Sequence, residues 1–308
     1  MESQLPTPTV STIDSDFSTF GAVHLDVTDL DAALGFWRDL IGLRLLGAPD
    51  PVAVLGVPGR PLVVLHPGAL AKLPRDYSGL YHLAIHVPTM EDFARIYLRA
   101  KSVDYHQYPT DHLMHYANYL DDPDGNGLEM VFETPERFGR METGPNGPAF
   151  FDAEGNPHSG REAIDLQWLS GFLPGDDLTP GMPDGAVMGH LHLRVASMEE
   201  NFAFYRDQIG FTPNMFAPEI GMYDMSAGGT FPHRLAGNIW ESDNRPQRPE
   251  GAAGLRSYTL VLRSPENLIA AVSRVAIAGG NVEQQGDAAM VTDPSGNRVL
   301  LALADPAA

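Results

Sequence analysis

The chain writes one amphipathic helix twice. Asp29-Leu-Asp-Ala-Ala-Leu-Gly-Phe-Trp-Arg-Asp-Leu-Ile-Gly-Leu43 aligns with Ser197-Met-Glu-Glu-Asn-Phe-Ala-Phe-Tyr-Arg-Asp-Gln-Ile-Gly-Phe211, and self-similarity of this kind is the signature of a repeat architecture. Each copy spaces apolar residues by three and four, Leu34, Trp37 and Ile41 in the first and Phe202, Tyr205 and Ile209 in the second, and each ends on glycine. Short alternating runs precede them, Val23 to Val27 and Leu191 to Val195. A second internal match, Asp122-Pro-Asp-Gly-Asn126 with Asp293-Pro-Ser-Gly-Asn297, is a turn by its proline and glycine and feeds an apolar run each time. Further strand-then-helix starts fall at Tyr81 to Val87 and Tyr258 to Leu262. The chain therefore reads as four βαβββ units of roughly 55 to 65 residues each.

These units predict an α+β fold in which four βαβββ modules form two incomplete mixed β-barrels with helices outside. The expected divisions are an N-terminal arm over 1–17, modules one and two over 18–136, a linker over 137–186 and modules three and four over 187–308. The linker, dense in Gly, Pro and Asp, is expected to be an ordered crossing segment.

Composition narrows the chemistry. The 308 residues contain no cysteine, which excludes a disulfide framework, a thiolate metal site and a cysteine nucleophile. A metal would have to be held by His, Asp or Glu. Forty acidic against twenty basic residues give a formal charge of −20, so nucleic acid and anionic membranes are not expected as partners. Neither a long apolar run nor a basic-then-apolar start is present, and a cytoplasmic protein is expected.

The fourfold plan, the Phe-Trp/Tyr-Arg-Asp helix ending and the Asp-Pro-x-Gly-Asn hairpin leading to Glu129 resemble the vicinal oxygen chelate superfamily. With Tyr81-His82, Asp111-His112 and Gly127-Leu128-Glu129, the likeness within that superfamily is to catechol 2,3-dioxygenase-like extradiol ring-cleaving enzymes. The resemblance implies a site whose ligands come from first and last strands of facing modules. His82 and Glu129 of module two and His190 of module three stand at such positions, a two-imidazole, one-carboxylate set suited to Fe(II), or Mn(II), with positions open for substrate and O2. The matching positions elsewhere read as Ala22, Tyr258 and Leu300, so a complete set requires module two to face module three across the linker, leaving modules one and four as the metal-free pair.

By the same resemblance, His233 corresponds to the family's active-site base, and His112 and Tyr119 to its acid and hydrogen-bonding groups. Trp240, Phe231, Met222 and Tyr223 are candidate walls of an aromatic pocket. The roles of His24, His66, His106 and His115 stay open. The implied reaction is insertion of O2 into a catechol-type aromatic diol to give a ring-opened semialdehyde, by a homo-oligomer. Glyoxalase-like isomerases, epimerases and thiol transferases share the scaffold, more often with a second carboxylate. A non-catalytic ligand-binding protein is the third reading.

Overall fold

The computed structural model describes residues 15–144, 147–173 and 175–304; residues 1–14 of the arm expected over 1–17, and 305–308 of the fourth module, lie outside the described residues. In chain order the first repeat gives β1 (Ser18–Val27), α1 (Leu30–Leu34), β2 (Arg44–Gly47), β3 (Ala53–Val57) and β4 (Arg60–Pro67). The second gives β5 (Gly79–His86), α2 (Met90–Ser102), β6 (Tyr108–Asp111), β7 (His115–Asp121) and β8 (Gly127–Glu133). The crossing segment holds β9 (Phe138–Gly144), β10 (Gly147–Asp152), β11 (Pro157–His158), β12 (Glu162–Ala163) and α3 (Leu166–Ser170). The third repeat follows with β13 (Val187–Arg194), α4 (Met198–Ala203), β14 (Thr212–Ala217), β15 (Met222–Ser226) and β16 (Leu235–Asn238). The fourth closes with β17 (Gly254–Leu262), α5 (Pro265–Ile277), β18 (Val282–Gln285), β19 (Ala288–Thr292) and β20 (Arg298–Leu303).

Each repeat starts its helix in the same way. Asp29, Thr89, Ser197 and Ser264 sit in extended backbone and accept a hydrogen bond from an N–H of the first turn, a cap that contributes about 1 kcal/mol where alanine would leave that donor unpaired. In the two helices that resemble one another, the Phe-Trp/Tyr-Arg-Asp stretch widens into a π-helical turn, Gly35–Leu40 and Phe204–Ile209. Gly42 and Gly210 then leave it at φ 94° and 114°, a backbone region that excludes most side chains.

The strands assemble into two large mixed sheets, neither a closed barrel. One runs β18-β19-β20-β17-β1-β4-β3-β2; the other runs β12-β6-β7-β8-β5-β13-β16-β15-β14. Apart from β12 they have one plan: two first strands meet antiparallel in the middle, and each pairs parallel with the last strand of its own repeat. Strands of the second and third repeats thus share one sheet, and those of the first and fourth share the other.

The turns tie the sheets together. Trp37 of the first repeat donates from Nε1 to Asp122 in the turn of the second (3.3 Å), and Tyr205 of the third donates to Asp293 in the turn of the fourth (2.8 Å). Both carboxylates also accept the N–H and side-chain amide of the asparagine four residues on, Asn126 and Asn297. The Pro-Gly-Asn turns therefore act as sockets for the helix aromatics, and one continuous apolar core extends under both sheets. Strands β5, β8 and β13 are buried on both faces. Leu83, Ile85, Leu128, Met130, Leu191 and Leu193 belong to that core, while the alternate positions carry polar side chains to the other face.

Candidate metal centre

Three of those polar side chains converge. The Nε2 atoms of His82 and His190 lie 2.9 and 2.8 Å from Glu129 Oε2 and 3.3 Å from each other. Three donors on adjacent corners of an octahedron with bonds of about 2.1 Å lie about 3.0 Å apart, and those of a tetrahedron about 3.4 Å. The observed spacings average nearer the octahedral value, with the three donors on one face. All three residues are buried, and a buried carboxylate needs compensating partners.

Electrostatics prepares the donors. Burial opposes the charge of Glu129, but the His190 and His82 imidazoles beside it and the hydrogen bond from His115 outweigh it and hold the carboxyl well below its usual range. Burial pushes His190 well below the ordinary imidazole range. Glu129 is thus anionic, the state in which a carboxylate ligates a cation. The donor set fits a hard to intermediate divalent ion such as iron or manganese.

A polar chain stands behind His190. Its Nδ1–H, with Nε2 left to ligate, donates to His86 Nε2 (2.9 Å), and His86 Nδ1–H donates to Glu133 (2.7 Å). Glu133 accepts in turn from Arg234 Nη1 (2.9 Å), whose Nε donates to Asp16 (2.7 Å). Such outer hydrogen bonds fix ring orientation and tautomer. Gly189 leaves room for this: a Cβ there would collide with the His86 ring.

His233 and the His112–Tyr119 pair flank the triad. His233 donates from Nδ1 to Asp224 (3.0 Å), itself held by Asn214 (2.8 Å), and its ring centroid is 4.8 Å from that of His190. Burial opposes its protonation, but Asp224 and Glu129 outweigh this and raise its pKa above the ordinary value. Tyr119 donates to His112 Nε2 (2.8 Å), and His112 Nδ1–H donates to the Gly160 carbonyl (2.7 Å). Burial brings His112 down to about 3 and Tyr119 well above 10. These groups and Glu129 line one cavity of about 300 Å³.

The remaining histidines divide. His115 donates to the second oxygen of Glu129 (3.2 Å). His106 lines a neighbouring cavity beside Tyr108 and Arg75. His66 donates to His24 (2.9 Å) on the other sheet while its Nδ1 faces Arg256. Of the expected wall residues, Trp240 and Met222 line the cavity. Phe231 packs instead against the His86 and His115 rings, and Tyr223 against Gly237.

Strand register corrects one equivalence. Counting back seven residues from each helix cap gives Ala22, His82, His190 and Ser257, so Ser257, not Tyr258, matches His82. Tyr258 faces the core, where it meets Tyr205 (2.6 Å).

Two groups of site residues escaped the sequence reading. His86 and His192 lie on the same strand faces as the ligands, and the two-residue period was the signal that could have found them. Phe138, Met141, Phe150 and Arg161 of the crossing segment also line the cavity. No periodicity distinguishes them, because β9, β10 and β11 form a separate small sheet.

Comparison with known proteins follows from this geometry. The family model described as Glyoxalase/Bleomycin resistance protein/Dioxygenase superfamily matches residues 19–130 and 187–301. A protein of Bacillus subtilis (strain 168) named catechol-2,3-dioxygenase is 32% identical over 283 residues, 89% of this chain and 93% of its own. Among solved structures, a provisionally named dioxygenase from Bacillus subtilis subsp. subtilis str. 168 superposes with TM-score 0.58 at 16% identity, over 94% of this chain and 86% of that one. Glyoxalase I from Zea mays superposes with TM-score 0.52 at 17% identity, over 96% and 95%. These two likenesses concern the fold.

Proposed function

We propose that this chain, which belongs to the Glyoxalase/Bleomycin resistance protein/Dioxygenase superfamily, is an extradiol ring-cleaving dioxygenase that converts a catechol-type diol and O2 to a ring-opened semialdehyde. The observation that carries the reading is the convergence of His82, His190 and Glu129 within 2.8 to 3.3 Å of one another beside a mostly apolar cavity that His82 and Glu129 line. The named catechol-2,3-dioxygenase, 32% identical across nearly the whole chain, supports the same reaction.

Divalent iron, or manganese, held by the three side chains would supply adjacent positions for both catechol oxygens and for O2. The chain's own residues do the rest. His233, its Nδ1–H engaged by Asp224, presents Nε2 to the cavity and accepts a proton from an incoming hydroxyl. Tyr119, backed by His112 Nε2, holds a proton beside Glu129 for delivery to the opening ring. Phe138, Met222 and Trp240 exclude water from the ring face.

An isomerase with a second carboxylate ligand is disfavoured by register. Glu129 lies opposite Ala84 on β5, and the position matching Ala84 on β13 is His192, which lies opposite Ala236. The fourth corner thus carries a methyl group. Anaerobic loading with Fe(II), metal quantification and admission of air to a small catechol panel test the proposal. A yellow semialdehyde chromophore with matched oxygen uptake is expected, and loaded protein that consumes no oxygen with any catechol refutes it.

A further inference from the structure

The cavity's outer wall comes from a stretch that the family match skips, since residues 131–186 lie between the two matched segments. We propose that the crossing hairpin sets substrate choice through Phe150 and Met141, and that the substrate is a catechol whose ring carries an apolar substituent resting on this wall. The identity of the ring as a catechol rests on the function proposed above; the role of the hairpin rests on separate observations.

Register comes first. Phe150 of β10 stands directly opposite Met141 of β9, and Phe151 opposite Arg140. Paired residues share a face and neighbours alternate, so Met141, Pro148 and Phe150 face one way and Arg140 and Phe151 the other. On that other face the Arg140 guanidinium lies 3.9 Å from the centre of the Phe151 ring. Met141, Pro148 and Phe150 line the cavity and are only partly buried, so they retain apolar surface for a ligand to cover.

Volume comes second. A cavity of about 150 Å³ accommodates a bare benzene ring, and this one measures about 300 Å³. Roughly half is left for a substituent. Phe138, Met141, Pro148 and Phe150 bring apolar surface to the cavity, so part of the spare volume borders hydrocarbon.

The third observation fixes Phe150 in place. Gly160 has φ 75°, and a Cβ there would approach the Phe150 ring to 2.8 Å. The carbonyl of the same glycine accepts the His112 Nδ1–H. One residue therefore seats the wall and holds His112 in the tautomer that faces Tyr119. The hairpin sheet is joined to neither large sheet, so its side chains can be changed without altering the strand pairing that positions His82, Glu129 and His190.

The test uses the full Fe(II)-loaded chain with 3-methylcatechol and 3-phenylcatechol. Phe150→Ala is expected to raise the 3-phenyl to 3-methyl ratio of kcat/KM at least tenfold, and Phe150→Trp to lower it. Anaerobic binding of the same pair, read by tryptophan quenching, should shift in the same directions. Should Phe150→Ala lower Tm sharply, Met141→Ala takes its place with the same expected direction. Ratios within twofold of wild type in both assays overturn the inference while leaving the dioxygenase reading intact. Shifted binding ratios without ring opening leave the inference standing and overturn the reaction. Wild-type protein that binds neither catechol overturns both.

Discussion

The two large sheets share one strand plan, yet among the described residues only one of them carries a candidate metal site. In the sheet of the second and third repeats, the equivalent first-strand positions hold His82 and His190. The same positions in the other sheet hold Ser257 and Ala22. Glu129, opposite Ala84, has as counterparts Val64 opposite His24 and Leu300 opposite Thr259. The scaffold thus builds the same four-cornered cradle twice and needs polar groups in neither. What the fold does require recurs in both halves: the helix caps, and the Asp122 and Asp293 sockets for Trp37 and Tyr205. Function here is a set of side chains placed on one of two equivalent frames.

The largest test of that difference cuts the same corner of each frame. Glu129→Gln keeps the shape but loses the anionic ligand, and should cut ring cleavage by roughly a thousandfold and release the metal on dialysis, with Tm of the metal-free protein little changed. Leu300→Ala, the matching cut in the other sheet, should leave metal content and kcat near wild type. Its cost appears in Tm, because it removes partly buried hydrocarbon. Metal content read by elemental analysis separates the two; equal metal loss in both variants would mean that the sheets do not act as separate frames.

A smaller effect is expected one step away from the ion. His86 occupies the strand position that in the first repeat is Asp26, and it orients His190 through a 2.9 Å hydrogen bond. His86→Phe preserves the ring's bulk and deletes that bond. Metal affinity, titrated in competition with a chelator, should fall by about 10- to 100-fold. Activity at saturating metal should recover substantially, which loss of a ligand would not permit.

Much of this contrast was legible before any coordinates. The repeated helix and repeated turn revealed four units, and the unequal distribution of His82, His190 and Glu129 implied that the second and third must meet. Those signals are local, carried by caps, turns and a two-residue alternation. The Tyr258 equivalence failed because an apolar strand gives no internal mark of register, and only its distance from the cap at Ser264 fixes it. The part that the ordered crossing segment plays in the cavity was missed for another reason. Phe150 and Met141 matter through a cross-strand pairing and through Gly160, contacts set by where the hairpin lies and not by any pattern along it.

The smallest effect concerns pH and compares the halves in the metal-free protein. In the half with the candidate metal site burial lowers the pKa values of His86, His190 and His192 and takes His112 to about 3. In the other half only His24, lowered to about 4, and the more exposed His66 are depressed among the described residues. A group whose folded pKa lies below its unfolded value contributes stability that is present above about 6.5 and is lost as pH falls toward the folded value. Each deeply buried imidazole can withdraw up to about 2 kcal/mol between pH 6.5 and 5. Asp122 and Asp293 act in the opposite sense, since burial raises both to about 6 and their contribution is lost as pH rises through that value. One belongs to each half, so they cancel in the comparison; His233, raised above the ordinary value, offsets part of the loss in its own half, and the excess of lowered imidazoles there decides it. Amide exchange, corrected for its intrinsic pH dependence, should therefore accelerate between pH 7.5 and 5 in β5, β8 and β13 more than in β1, β17 and β20. Equal acceleration would mean that the sockets at Asp122 and Asp293 bind the two sheets into a single cooperative unit, so that a proton taken up in one half destabilises both.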